Sequence, residues 1–155
     1  RVLDHLSRFG RLAAGVPGTV DGMWEGHKRY GKLPWPELVY PAVLLADRGF
    51  QITEQEANNL NAERIRFIRN SSVMPAFVSM ETWTAGRWLI QKDLANTLRR
   101  IAEQGRAGFY EGGTAALIVH EMQQKGGLIT AEDLKSYSSK WRTPLEFDYK
   151  DLHIV

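Results

Sequence analysis

The sequence predicts an α+β chain, rich in helix and closing on a β-hairpin, on three observations. Apolar residues recur at three- and four-residue intervals through most of the chain, as in Leu94, Leu98, Ile101 and Ala102 or in Ala115, Ile118, Val119 and Met122. Two blocks, Thr53-Glu54-Gln55-Glu56 and Thr130-Ala131-Glu132-Asp133, have the form of helix N-terminal caps, a hydroxyl followed three residues later by a carboxylate. At the end the period changes to two, with Trp141, Thr143, Leu145, Phe147 and Tyr149 alternating with other residues.

In chain order, Leu12-Ala13-Ala14 before Gly15-Val16-Pro17 reads as the end of a buried strand and a turn. Pro17 fits the first turn of a helix, where its missing N–H costs nothing. That helix runs to Gly31 with a modest buried face of Val20, Met23, Trp24 and His27, and Gly22 and Gly26 leave room for a close neighbour. Pro34 and Pro36 straighten the approach to a second helix carrying Leu38, Pro41, Ala42, Leu45 and Ala46 on one side. Pro41 kinks or restarts it, and Arg48-Gly49 ends it. Phe50 and Ile52 lead to the Thr53 cap, whose helix reaches about Ile68. Asn70 to Pro75 breaks it, and the aperiodic stretch to Gln91 reads as loop with short extended pieces. A helix from Asp93 to Gly105 follows, then one from Tyr110 or Thr114 to Lys125, stopped by Gly126-Gly127. The Thr130 cap opens a two-turn helix to about Tyr137. The hairpin turns at Tyr149-Lys150-Asp151 towards Leu152-His153-Ile154-Val155. With no internal repeat and no low-complexity segment, residues 1–155 read as a single piece.

Composition narrows the class. The 155 residues are 43% hydrophobic and 25% charged, enough for one domain with a sizeable core and unlike a disordered chain. The longest apolar run, Pro41 to Ala46, is far short of the roughly 18 to 20 residues that cross a bilayer. Without cysteine there is no disulfide, no thiolate nucleophile and no thiolate metal site. Twenty Lys plus Arg against eighteen Asp plus Glu leave a net charge of +2, and basic pairs such as Lys28-Arg29 and Arg99-Arg100 are scattered among carboxylates. That is a mixed solvated surface, not a nucleic-acid footprint. Arg1 to His5 lacks a signal-peptide layout and an initiator Met, so the chain reads as cut from something longer.

Chemistry-bearing patterns are scarce. His120-Glu121 begins like the zinc-protease motif, but Gln124 stands where the second histidine belongs, so His120 reads as a helix-surface residue. His5, His27 and His153 have no carboxylate nearby at ligand spacing and read as core or surface residues. No complete phosphate-cradling glycine motif and no nucleophile elbow occur. The Glu54/Glu56 and Glu132/Asp133 pairs sit at helix N-termini, where negative charge opposes the dipole. Asn70-Ser71-Ser72 has the form of a glycosylation acceptor. Trp24, Trp35, Trp83, Trp88 and Trp141 read as core and interface fillers before ligand stackers.

The run "LAAGVPGTVDGMWEGHKRYGKLPWPELVYPAVLLADRGFQIT", continuing through "KDLANTLRRIAEQGRAGFYEGGTAALIVHEMQQKGGLITAEDLKSY" to "RTPLEFDYKDLHIV", resembles the central to C-terminal part of the large subunit of gamma-glutamyltranspeptidases. Gly15 to Gly22, Tyr30 to Gly49, Phe109-Tyr110-Glu111-Gly112 and Gly126 to Thr130 carry the likeness. The resemblance implies part of an αββα N-terminal-nucleophile hydrolase, a self-cleaving precursor of large and small subunits. In that chemistry the small subunit's new N-terminal threonine attacks the γ-glutamyl amide of glutathione and related compounds, its own amine serving as base and N–H donors holding the oxyanion. It implies no cofactor and no metal. Its partners would be the rest of the large subunit and the small subunit of the same precursor, and its site of action the periplasm or cell exterior. The nucleophile would follow Val155 and the arginine that grips the substrate α-carboxylate would precede Gly15. Thr19, Thr53, Thr82, Thr84, Thr97, Thr114, Thr130 and Thr143 lack the matching context, so no catalytic residue is carried over and the fragment alone is expected to be inactive. Residues 15–22 would then bring a core strand and a supporting helix together, with anion binding at the helix N-terminus as the other reading. Two other readings stay open: a related acylase or amidohydrolase acting on another amide, and a non-catalytic helical binding module.

Overall fold

The computed structural model describes residues 10–71, 73–124 and 126–155. His5, the Ser72 of the Asn70-Ser71-Ser72 triplet and Lys125 at the expected helix end lie outside the described residues.

Helices form where apolar period and caps place them. α1 (Thr19–Tyr30) is closed by Gly31, whose N–H donates to the His27 carbonyl at 2.7 Å. α2 (Trp35–Arg48) has Pro36 in its first turn and runs on through exposed Pro41, which has no N–H to donate to the carbonyl four residues back. It stops at Gly49, which adopts φ 85°, and a Cβ there would lie 2.9 Å from the Leu89 carbonyl oxygen. β1 (Phe50–Gln51) pairs antiparallel with β2 (Trp88–Leu89), Phe50 opposite Leu89 and Gln51 opposite Trp88. Between them α3 (Glu54–Asn70) opens on the expected capping box: Glu56 N–H donates to Thr53 Oγ1 at 3.3 Å, and Thr53 N–H donates to Glu56 Oε2 at 2.7 Å.

α4 (Lys92–Gln104) packs along α2, burying Val43 and Ala46 against a face that includes Ala95, Ile101 and Ala102. α5 (Ala107–Tyr110) and α6 (Gly112–Gln124) follow, and α7 (Ala131–Ser136) opens on the second capping box at Thr130. The chain closes on the expected hairpin, β3 (Phe147–Tyr149) with β4 (Leu152–Ile154), in the register Phe147–Ile154, Asp148–His153 and Tyr149–Leu152. Its turn holds Lys150 at φ 55°.

The core forms in separate pieces. One cluster joins Ile52, Ala57, Trp83 and Leu89 beneath α3, and another joins Tyr110, Ala115, Ile129 and Leu134, with Val20, Ile118 and Tyr137 packed against it. The helix-rich α+β class is therefore as expected, with only small sheets.

Local expectations fail where context overrides pattern. Leu12-Ala13-Ala14 is no buried strand: Arg11–Ala13 forms one 3-10 turn and Leu12 is exposed. Pro17 lies just outside α1, which begins after Gly18. The alternating stretch from Trp141 enters a strand only at Phe147, and every residue of β3 is exposed. On α2 the expected inner face holds at Ala46, but Leu38, Pro41, Ala42 and Leu45 face outward, Leu45 being 56% exposed, because α4 meets the stripe of Val43 and Ala46. Gly22 and Gly26 have nothing within 4 Å of an added Cβ; close approach is permitted instead at other glycines, among them Gly18, against the Tyr137 ring, and Gly108, against the Arg100 carbonyl.

Candidate functional site

A densely bonded polar group stands at the start of α1. Asp21, 2% exposed, is the only buried carboxylate among the described residues. Its Oδ1 accepts from Arg106 Nε at 2.7 Å, and its Oδ2 accepts from the Ser139 N–H at 2.6 Å and the Ser139 hydroxyl at 2.7 Å. Burial alone would raise its pKa, but the Ser139 and Arg106 bonds outweigh it and hold the carboxyl below its ordinary 3.8.

Three elements meet there. The Arg106 guanidinium also donates from Nη2 to the carbonyls of Lys135, at 3.0 Å, and Tyr137, at 2.5 Å, and lies 4.6 Å from the centre of the Tyr110 ring. Tyr110 donates its hydroxyl to the Pro17 carbonyl at 2.6 Å and accepts the Asp21 N–H at 3.2 Å. Burial of Tyr110 raises its pKa, with the Asp21 charge adding to the shift, so the phenol stays protonated as the donor the Pro17 carbonyl needs. The Tyr137 ring stacks on Tyr110 at 5.7 Å and lies against Gly18. The breakers of residues 15–22 thus bring the helix start against a tyrosine pair, not against a strand. Because Tyr110 and Asp21 occupy this end of α1, the arrangement does not read as an anion cradle; it holds three chain segments together.

Beside it an open groove of about 580 Å³ runs between α6 and α7, lined by Tyr110, Glu111, Ala115, Val119, His120 and Lys135 among others. Its rim carries both signs of charge. His120 is on the surface of α6 as expected, and its Nε2 accepts from Gln124 Nε2 at 2.8 Å. No group of three or more potential ligands for a metal occurs among the described residues.

Several of the threonines are engaged in structure. Thr53 and Thr130 cap helices, while buried Thr114 accepts Arg100 Nε at 2.8 Å and donates to the Gly108 carbonyl at 2.7 Å. Of the tryptophans, Trp83 is buried and donates Nε1 to the Phe77 carbonyl, Trp24 meets Trp35 edge-on at 5.1 Å, and Trp88 and Trp141 are exposed. His27 lies against both Trp24 and Trp35 and hydrogen-bonds the Leu33 carbonyl at 2.8 Å. His153 does acquire carboxylates, Asp148 at 2.8 Å and Glu146 at 3.8 Å, because the hairpin sets Asp148 directly across from it. Sequence reasoning passed over Asp21 altogether; an acidic residue in the first turn of a helix ordinarily faces water, and its partners lie 85 and 118 positions away.

The profile of the Gamma-glutamyltranspeptidase family matches residues 2–155. A "Glutathione hydrolase proenzyme" of Pseudomonas aeruginosa is 44% identical over 149 residues, covering 96% of this chain and 26% of that protein. Among solved structures, the gamma-glutamyltranspeptidase of Helicobacter pylori superposes with a TM-score of 0.90 at 41% identity, over 99% of this chain and 44% of that one. A cephalosporin acylase from Bacillus halodurans superposes at 0.84 with 29% identity, over 94% of this chain and 28% of that one. The chain thus spans about a quarter of the length of the curated relatives it matches. By sequence along nearly its whole length and by the placing of its helices, the chain belongs to the gamma-glutamyltranspeptidase family.

Proposed function

We propose that the protein to which these 155 residues belong hydrolyses or transfers the γ-glutamyl group of glutathione and related amides, and that this segment is one piece of its large-subunit scaffold. The observation that carries the reading is the continuity of the likeness, which runs through the helical layer and the hairpin alike. In this chemistry an N-terminal threonine outside the chain attacks the amide carbonyl, its own amine takes the proton, and the acyl-enzyme passes to water or to an acceptor amine. The segment supplies no nucleophile. Its partners are the remainder of the large subunit and the small subunit cut from the same precursor, in keeping with the proenzyme relatives.

The first test is the intact mass and N-terminal sequence of the protein expressed from its complete gene. Two chains, the smaller beginning with threonine, are expected, together with turnover of a γ-glutamyl anilide. A single chain that stays uncleaved for days would overturn the reading and favour a binding module. The likeness to the acylase supports a second reading, the same scaffold around a different amide, in which cleavage occurs but the anilide is not turned over. The enzyme is placed in the periplasm or outside the cell, which fractionation would test; among the described residues no helix is long and apolar enough to cross a membrane.

A further inference from the structure

After α7 the chain leaves the helical layer as an arm, residues 138–155, without helix or strand as far as position 146 and ending in the exposed hairpin. Among the described residues, the hydrogen bonds that tie this arm to the layer both come from Ser139 and both end on Asp21 Oδ2. One further anchor is aromatic: the Trp141 ring meets Tyr30 edge-on at 5.8 Å and lies 4.6 Å from the Arg29 guanidinium. Both anchors are on α1. The other oxygen of Asp21 is held by Arg106, which also grips the carbonyls of Lys135 and Tyr137 just before the arm departs.

We propose that Asp21 and Arg106 form a charge-dependent clasp that fixes where the C-terminal arm leaves the helical layer, so that neutralising Asp21 frees the arm while the helical layer stays folded. The chemistry is one of donor counting. Three donors, Arg106 Nε, Ser139 N–H and the Ser139 hydroxyl, converge on the two oxygens of one carboxylate. An amide in its place offers one oxygen and turns an NH₂ towards a donor that has nowhere else to go. The α2–α4 pair has its own buried stripe and no part in this network, which is why its stability separates from the arm's. The other titratable groups around the clasp are Tyr110 and Glu111 beneath it, Tyr137 and Lys135 from the α7 side, and Glu25 and Lys140 beside Ser139. The clasp is indifferent to which amide the enzyme cleaves.

The test is hydrogen exchange, read by mass spectrometry, on the full-length protein and its Asp21→Asn variant. Among residues 138–146, exchange at the Ser139 amide, the N–H that the clasp protects, is expected to rise about tenfold or more, with the amides of α2 and α4 unchanged within about twofold. Ser139→Ala removes one of the three donors without leaving a buried charge unpaired, and serves if Asp21→Asn does not accumulate; it is expected to raise exchange at the same amide by a smaller factor. A rise spread evenly over α2, α4 and the arm would make Asp21 a general determinant of folding and overturn the clasp. No rise from 138 to 146 in either variant would overturn it as well.

Discussion

Gly108 and Gly22 show how one residue type serves opposite ends. A Cβ at Gly108 would run into the Arg100 carbonyl, a backbone atom that cannot swing aside, whereas Gly22 sits inside α1 with nothing near it. Gly108→Ala in the 155-residue chain is expected to cost about 3 kcal/mol. Gly22→Ala is expected to stabilise it by about 0.5 to 1 kcal/mol, helix propensity acting unopposed. Urea unfolding of the two variants checks both signs. Asp21 supplies the pH dependence at this scale. Its folded pKa lies below its unfolded 3.8, so its contribution is complete above that value and is lost as pH falls through the lowered folded pKa. Acid titration followed by near-ultraviolet circular dichroism should show loss of tyrosine signal below about pH 4 that is blunted in Asp21→Asn.

At the scale of elements, the caps were the most legible feature. Thr53 and Thr130 each close the reciprocal pair of bonds that the spacing prescribes, since all the atoms involved lie within four residues. Thr130→Ala is expected to cost about 1 kcal/mol and, because α7 has only 6 residues to carry the loss, to fray it. Thr53→Ala removes a comparable bond from the 17-residue α3, where amide exchange should change only in the first turn. Comparing exchange in the two helices tests this. The inward face of α2 was legible only at Ala46. Apolar residues surround that helix, so period alone could not say which stripe meets α4; the packing of α4 chose Val43 and Ala46. Strand starts were no better, because alternation in Trp141 to Tyr149 is a property of sequence while pairing begins only where β4 has a partner residue to offer.

At the scale of the whole molecule, much apolar surface is left uncovered: Leu38, Leu44 and Leu45 on α2, Leu117 on α6, and Leu145, Phe147, Tyr149 and Leu152 on the arm. On the proposed reading, the remaining elements of the longer protein would cover these residues. Expressed alone, the 155 residues are expected to self-associate, with an apparent mass that rises with concentration in sedimentation. A monomer at all concentrations would show that this surface is tolerated by itself.

The sequence by itself determined the helix-rich class, the caps, the stops at Gly31, Gly49 and Gly105, the hairpin turn and, through its likeness, the family. These depend on contacts within a few residues or on a long ordered match, and both are written along the chain. Only the tertiary structure decided that Asp21 is buried, that Arg106 and Ser139 converge on it, that Gly18 rather than Gly22 admits a neighbour, and that His153 meets Asp148. Apart from the hairpin pair, those meetings bring together residues from distant parts of the chain, and it is the packing of α1, α5 and the strand-bearing arm, not any local pattern, that supplies their geometry.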